Sequence, residues 1–511
     1  MSRLPSYHLT SPSEHQLSIE CSNGRSLVSS DYSEVLQFLV GSSPGSPLPV
    51  PRVVWNLSEL VSQIRAILPS FVLEEFDSDT PRATWEDSRC RYRLYYQPGK
   101  FLGIHAGSFG DETTFYELDQ FFPEHHEPQS VAEVQTLANL LVDAFGALGV
   151  YRIDNLKSPV AVIEASGILD RLYKGLPSPA KIPPDCLEYA TLCDTYGAWC
   201  SAYQLGYWPE GEAYSYDIGS CYPSIARGLV SLEGAGYRFI KSMPEATVNG
   251  GLHYGFLRGT IIINPDHPFA FCSPIVAAVD DIVTNPVGAF SGYFTLGQVR
   301  FLERHGLGTF RLQDGWLVEL HSEERPLQKV MDDLYRQRAK GELVNMIAKR
   351  VIAGIIGRLG EYHQDVPTEY TNPIYHSIIR GYAPLKVGGF LIEHGLTPEE
   401  LILVNTDGFH ATRRIELPPD SGMGKWRSEG SEALIVLSSD RLLAGDKCEP
   451  LLAAIKADPK APGYSLESGE VSLLSLAADQ DRHFPKVPLS GRDLLRTKYP
   501  SQPLIAGNHG Q

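Results

Sequence analysis

One stretch constrains this chain more than any other: Tyr216-Asp-Ile-Gly-Ser-Cys-Tyr-Pro-Ser-Ile225. The aromatic run Tyr214-Ser-Tyr216 favours an extended strand, and an acid, Asp217, stands at its end. Five residues later comes an aromatic followed by proline, Tyr222-Pro223. A second acid stands after another apolar strand, in Leu401-Ile-Leu-Val-Asn-Thr-Asp407-Gly408. Between the two acids lies a helical segment dense in cations, Leu334-Tyr-Arg336-Gln-Arg338-Ala-Lys340 through Lys349. Arg336 and Lys340 are spaced to share one helix face. Two separated carboxylates with cations between them are what nucleotidyl transfer on two metal ions requires.

These residues carry a family resemblance. Asp217-Ile-Gly-Ser220-Cys-Tyr222-Pro223-Ser224 resembles the first polymerase motif of family B DNA polymerases, Asp-x-x-Ser-Leu-Tyr-Pro-Ser. Lys349-Arg-Val-Ile-Ala353-Gly354-Ile-Ile356-Gly357 resembles the second, Lys-x-x-x-Asn-Ser-x-Tyr-Gly. Asn405-Thr406-Asp407-Gly408 resembles the third, Asp-Thr-Asp-Ser. Their order and spacing fit, and the resemblance covers roughly residues 200 to 440.

The resemblance implies roles. Asp217, the carbonyl of Ile218 and Asp407 would hold two Mg²⁺ ions, for which Mn²⁺ can substitute. Magnesium takes hard oxygen ligands and keeps waters and phosphate oxygens. Asn405 replaces the first acid of the third motif and supplies no charge. Ser220 and Tyr222 would line the nucleotide site, the Tyr222 ring colliding with a 2′-hydroxyl. Arg336 and Lys340, with Arg338 as the alternative alignment, would clamp the triphosphate. Lys349 would neutralise charge as pyrophosphate leaves. Ala353 and Gly357 would let the nascent base pair approach the helix, with Ile356 where the family has tyrosine. Lys425 and Arg427, in Gly424-Lys-Trp-Arg-Ser-Glu429, would bind primer phosphates. Tyr203 and Gly206 loosely match a linker that touches the template. A buried aromatic cluster is the other reading of Tyr203-Gln-Leu-Gly-Tyr-Trp. The implied partners are primer-template DNA, deoxynucleoside triphosphates and replication accessory proteins.

Composition sets the frame. A chain of 511 residues exceeds a single core and divides into two to four domains. No window of about 18 consecutive apolar residues appears, so no membrane span is expected. The first residues lack the apolar core of a signal peptide, so a cytoplasmic protein is expected, and the resemblance to compact phage and plasmid members implies a bacterial host or phage-infected cell. The eight cysteines form no Cys-x-x-Cys pair and indicate neither zinc nor a disulfide framework. Cys186, Cys193 and Cys200 recur every seven residues and are expected as buried residues on one helix face. The net charge of −17 opposes non-specific DNA affinity, although binding depends on the local potential of a groove.

The expected fold is a mixed α/β and α+β multidomain one. A ribonuclease-H-like N-terminal domain (1–180) precedes a linker and first palm segment (181–324), fingers (325–360), a second palm segment (361–413) and a thumb (414–511). Within the first domain, helices are expected at Leu60–Leu68 and Val131–Leu148, and a hairpin over Arg91–His105. A helix is expected from Pro184 to about Tyr207. In family B enzymes the N-terminal position holds a 3′→5′ exonuclease, which needs clustered acids for two metals. Here Asp-x-Glu is missing, Asn56-Leu-Ser-Glu-Leu60 ends in leucine where an acid belongs, and only Glu164 matches the third motif. The domain therefore reads as a scaffold without proofreading. Asn405, Ala353 and Ile356 keep open a catalytically weakened nucleic-acid- or partner-binding protein. A primase or RNA-synthesising variant is the third alternative, opposed by Tyr222.

Overall fold

A computed structural model describes residues 4–9, 16–40, 51–67, 82–86, 91–97, 101–106, 111–122, 125–150, 181–194, 199–243, 253–279, 282–363, 366–368, 370–419, 422–437, 442–449 and 487–488, with isolated positions between. The chain divides into two compact units, residues 1–175 with 332–355, and residues 176–331 with 356–511.

The first unit is built on one eight-stranded sheet. Its strands are β1 (Ser6–Leu9), β2 (Leu17–Cys21), β3 (Ser26–Ser29), β4 (Arg52–Val54), β5 (Arg82–Glu86), β6 (Arg91–Gln97), β7 (Phe101–Ala106) and β8 (Asp111–Glu117). Their order is β3-β2-β1-β4-β8-β7-β6-β5. An antiparallel trio meets two parallel strands, since β1 runs parallel to β4 and β4 to β8. This is the ribonuclease-H-like order. The expected hairpin is β6 against β7. Helix α1 (Tyr32–Val40) and α2 (Leu57–Ile67) cover the sheet. Leu57, Leu60, Val61 and Ile64 form the buried stripe of α2, the three-and-four spacing of an amphipathic helix. Helix α3 (Val131–Ala147) starts at Ser130, whose side chain accepts from the Glu133 N–H, satisfying one of the helix's unpaired donors.

The second unit holds the site. Its first helix is α4 (Pro184–Cys193), followed by β9 (Cys200–Ala202), β10 (Gln204–Trp208), β11 (Tyr214–Ile218) and α5 (Cys221–Gly228). The helix expected through Tyr207 thus ends at Cys193, and the alternation of buried Gln204, Gly206 and Trp208 with half-buried Leu205 and Tyr207 marks a strand. Cys186 and Cys193 are buried on α4 as expected, but Cys200 lies on β9, so the seven-residue repeat is not one helix face.

Strands β12 (Gly236–Ile240), β13 (His253–Ile263), β16 (Gly288–Thr295) and β17 (Gly308–Glu319) form one antiparallel sheet; β14 (Ala277–Val279) and β15 (Ile282–Thr284) form a separate pair. Helix α6 (Leu296–Arg304) lies between β16 and β17 and begins in a capping box, Thr295 with Gln298.

Then come α7 (Gln328–Gln337), a tight 3₁₀ turn (Arg338–Lys340), α8 (Glu342–Leu359), the short pair β18 (Tyr362–His363) and β19 (Val366–Pro367), and α9 (Pro373–Glu393). Two helices, α7 and α8, cover the span 325–358 in which a helical hairpin is expected. However, α7 stops at Gln337, so Arg336 and Lys340 do not share a helix face.

Strands β20 (Leu401–Asn405), β21 (Gly408–Ala411) and β22 (Trp426–Gly430) complete the sheet β22-β11-β21-β20-β9. Strands β23 (Leu434–Val436), β24 (Leu442–Ala444) and β25 (Val487–Pro488) form another sheet with β10. The segment assigned by sequence to a thumb therefore contributes β22 to the sheet that carries Asp217. Cross-strand pairing at this distance along the chain leaves little local signal.

Candidate active site

Asp217 is the penultimate residue of β11, and β11 pairs with β21 so that Asp217 lies opposite Gly408. Strands β20 and β21 form a two-residue hairpin around Thr406 and Asp407. The Ile218 N–H donates to the Asp407 carbonyl at 3.1 Å. The two acids that sequence separates by 190 positions thus sit at neighbouring strand ends.

Gly408 makes this approach possible. A Cβ there would lie 2.6 Å from the Tyr216 carbonyl and 3.5 Å from Asp217 Oδ1. Gly408→Ala is expected to force β11 and β21 apart, cost about 1–3 kcal/mol as an overpacked substitution does, and lower the melting temperature measured by circular dichroism.

Backbone strain marks the same place. Among the described residues, the non-glycine residues with positive φ are Ser220 (54°) and Thr406 (61°). One follows Asp217 at the start of α5 and the other directly precedes Asp407. A β-branched residue at positive φ is rare, and such strain concentrates at functional sites. The Thr406 N–H donates to the Trp199 carbonyl at 2.7 Å, which holds the turn.

The electrostatics tie the acids together. Burial, and then the charge of Asp217, push the Asp407 carboxyl up to about 6. Burial also raises Asp217, against the opposing pull of Arg427. Arg427 Nη2 donates to Asp217 Oδ2 at 2.8 Å and lies 2.8 Å from Glu429 Oε1. Arg427, expected on primer phosphates, is therefore engaged with the carboxylate itself. Two carboxylates repelling each other in a partly desolvated place form a donor set that a divalent cation relieves. Hard oxygens from Asp217, Asp407 and the Ile218 carbonyl suit magnesium. Among the described residues, no group of three or more His, Cys, Asp or Glu is placed to hold a metal by protein ligands alone.

Tyr222 is half-buried in the first turn of α5. Burial and the charge of Asp407 raise its phenol well above the ordinary range. Ser220 is the N-cap residue of α5 without a side-chain capping bond to that helix. Asn405 is exposed and accepts from the Cys200 thiol at 3.4 Å.

Other expected residues fall elsewhere. Tyr203 is buried to 1% exposure against Phe271, and Gly206 is buried in β10 opposite Val436. The Tyr203 ring thus belongs to a buried aromatic cluster, the other reading of this segment. Lys349, Ala353 and Gly357 are exposed at four-residue spacing along α8, and a Cβ at Gly357 would meet open space. Ile356 is 7% exposed and turns away from that stripe. Arg336 is paired with Asp333, Arg338 donates to Asn345 Oδ1 at 2.7 Å, and Lys340 is exposed. Lys425 is exposed, and its carbonyl accepts from the Gly219 N–H at 2.9 Å.

Sequence reasoning missed Arg380 and Lys386, both on α9. Asp194 holds Arg380 at 3.3 Å and pairs with His376, and the charge of Arg380 reaches the Tyr222 phenol. Lys386 Nζ donates to Ser224 Oγ at 3.4 Å. Isolated cations in an otherwise apolar helix were the available signal, since a buried charge requires a partner.

A sheet ending in two coupled carboxylates, together with a ribonuclease-H-like N-terminal unit, defines the fold of a compact, family B-like DNA polymerase, with exonuclease-like, palm, fingers and thumb parts. Among solved structures, the chain is similar to phi29 DNA polymerase complexed with primer-template DNA and incoming nucleotide substrates, at TM-score 0.54 and 11% identity over 87% of each chain. It is equally similar to the orthorhombic crystal form of phi29 DNA polymerase, at TM-score 0.54 and 10% identity, covering 86% of this chain and 87% of the other. No family model matches the chain, and no curated protein matches it in sequence. No helix among the described residues is long and apolar enough to cross a membrane.

Proposed function

We propose that this chain is a template-directed DNA polymerase that adds deoxyribonucleotides to a primer 3′-end. The observation that carries the reading is the placement of Asp217 and Asp407 at adjoining strand ends with coupled charges. Asp217, Asp407 and the Ile218 carbonyl would hold two Mg²⁺ ions, or Mn²⁺ in their place; when bound, these supply positive charge to the attacking and leaving oxygens. The protein's own task is positioning. Arg427 orients Asp217, Gly408 keeps the strands close, and the N–H groups of the first turn of α5 suit a phosphate. Tyr222 excludes the 2′-hydroxyl. Arg336 and Lys340 carry the triphosphate role and Lys349 neutralises charge as pyrophosphate leaves, so Lys349→Ala is expected to lower kcat for nucleotide addition more than it raises KM. Residues 325–360 act as fingers. The partners are primer-template DNA, deoxynucleoside triphosphates and replication accessory proteins. Template-dependent primer extension with Mg²⁺ tests the reading.

A second reading, a polymerase fold kept for binding nucleic acid alone, draws on the exposed Asn405 and on the Arg427–Asp217 pair. It predicts primer binding without extension at any metal concentration.

No 3′→5′ trimming of a mismatched primer is expected. On β1, Tyr7 is buried and its hydroxyl accepts from Arg52 at 3.0 Å. Leu60, at the acid position of the second exonuclease motif, lies fully within the core. Glu164, and the alternative acids Glu74, Glu75, Asp77 and Asp79, lie outside the described residues. Incubation of a labelled mismatched primer with Mg²⁺ or Mn²⁺ checks this. Trimming that survives Asp217→Asn and disappears in Glu117→Gln or Asp119→Asn, the buried acid at the end of β8 and the half-buried one just beyond it, would contradict it.

A further inference from the structure

On the face of the β22-β11-β21 sheet opposite Asp217 lies a cavity of about 950 Å³. Successive strand residues point to opposite faces. Asp217, Arg427 and Glu429 share one face, joined by the ion pairs described above. Tyr216, Phe409 and Trp426 share the other, where Phe409 stacks on Tyr216 at 5.0 Å and Trp426 meets Phe390 of α9 at 4.2 Å. The cavity opens on this second face, among α6, α9 and the loop leading into β22.

Its lining is cationic and aromatic. Arg300 and Arg304 lie one helical turn apart on α6, Lys386 comes from α9 and Lys425 from the loop. Tyr382 and Trp426 supply rings. Tyr382 is 36% exposed, and its ring lies over Gly297, where a Cβ would approach it to 2.4 Å. Only glycine leaves room for that ring on α6. Among the described residues, the one acid lining the cavity is Glu393. This concentration of cations stands in a chain of net charge −17.

We infer that this cavity binds a single strand of nucleic acid, with phosphates on Arg300, Arg304, Lys386 and Lys425 and a base against Tyr382 or Trp426. Cations spread over three separate elements suit a run of phosphates better than one terminal phosphate group. The exposed Tyr382 ring can accept a base only from an unstacked strand, because a duplex presents its phosphates and hides its base faces. An acidic peptide would match the charges and leave the rings without a planar partner. The inference does not rest on catalysis, because Arg300, Arg304 and Tyr382 stand on α6 and α9 and take no part in the proposed metal site.

The test is fluorescence anisotropy of the full chain with a labelled twelve-residue oligothymidylate in EDTA, where no extension takes place. Arg300→Glu/Arg304→Glu is expected to weaken binding by about tenfold or more and to reduce the salt slope by about 1.4, the share of two phosphates on a single strand. Arg300→Lys/Arg304→Lys should recover most of the affinity, which separates lost charge from lost folding. Tyr382→Ala should weaken the single strand while leaving duplex of the same length unaffected. Unchanged single-strand affinity in both the charge-reversed and Tyr382→Ala proteins would overturn the inference. So would equal losses for strand and duplex, or displacement of the oligonucleotide by micromolar dATP. Wild-type protein that shows this pattern and fails to extend a primer would uphold the inference and remove the polymerase reading.

Discussion

Asp407→Asn is expected to abolish primer extension and, at neutral pH, to raise the melting temperature. The loss should reach about 10³-fold or more, roughly 4 kcal/mol of transition-state stabilisation, because the variant removes both the charge and the geometry of one metal-holding carboxylate. The gain in stability follows from the raised carboxyl. Its folded value of about 6 lies above the ordinary 3.8. The folded protein therefore keeps a proton that the unfolded chain releases, and stability falls as pH rises through that interval. Above it the ionised acid costs on the order of 1–3 kcal/mol, which asparagine does not pay. The melting difference between variant and wild type should be largest above pH 7 and shrink towards pH 4, as thermal scans across pH would show. Asp217→Asn should lose extension equally. Its stability has no single expected sign, because the substitution relieves repulsion with Asp407 and also breaks the Arg427 pair. Primer binding should survive in both variants, since it rests on distributed phosphate contacts. Asp407→Asn protein that extends at the wild-type rate would remove Asp407 from the site.

Tyr222→Ala is expected to admit ribonucleotides while leaving deoxyribonucleotide use mostly intact. The residue sits in the first turn of α5, five positions beyond Asp217, and Asp407 is the largest charge acting on its phenol. Burial keeps that phenol protonated and the ring fixed, so the ring is a wall rather than an acid. The 2′-hydroxyl is the group that distinguishes the two sugars. Removing the wall should raise ribonucleotide incorporation on the order of 10²-fold, about 2.7 kcal/mol of lost discrimination. Single-nucleotide incorporation with matched rNTP and dNTP gives the ratio directly. A ratio unchanged in the variant would take Tyr222 out of the role.

The parts of this protein legible in its sequence are those written in short range. The strand ending in Asp217, the turn around Asp407 and the helical pair over 325–358 all follow from local propensity and turn chemistry. So does the amphipathic stripe of α2. What could not be read depends on pairing between distant segments. That Arg427 would meet Asp217 is decided by the register of β22 on β11. That Tyr203 would be core follows from its packing on Phe271 and its N–H bonding to the Ile402 carbonyl. Arg380 and Lys386 were invisible because α9 matches no motif, although single charges in an apolar helix mark places where a partner must wait. Arg336 and Lys340 were placed on one face by spacing alone, and the 3₁₀ turn after Gln337 breaks that spacing.

The central claim is that the two coupled carboxylates catalyse templated nucleotide addition. The most direct measurement is extension of a labelled primer on a template of defined sequence, with Mg²⁺ and one deoxynucleoside triphosphate at a time. The account predicts that wild-type protein adds the complementary nucleotide, stops where the template calls for an absent one, and does neither as Asp217→Asn or Asp407→Asn. Wild-type protein that binds the same primer-template and adds no nucleotide with Mg²⁺ or Mn²⁺ would contradict it.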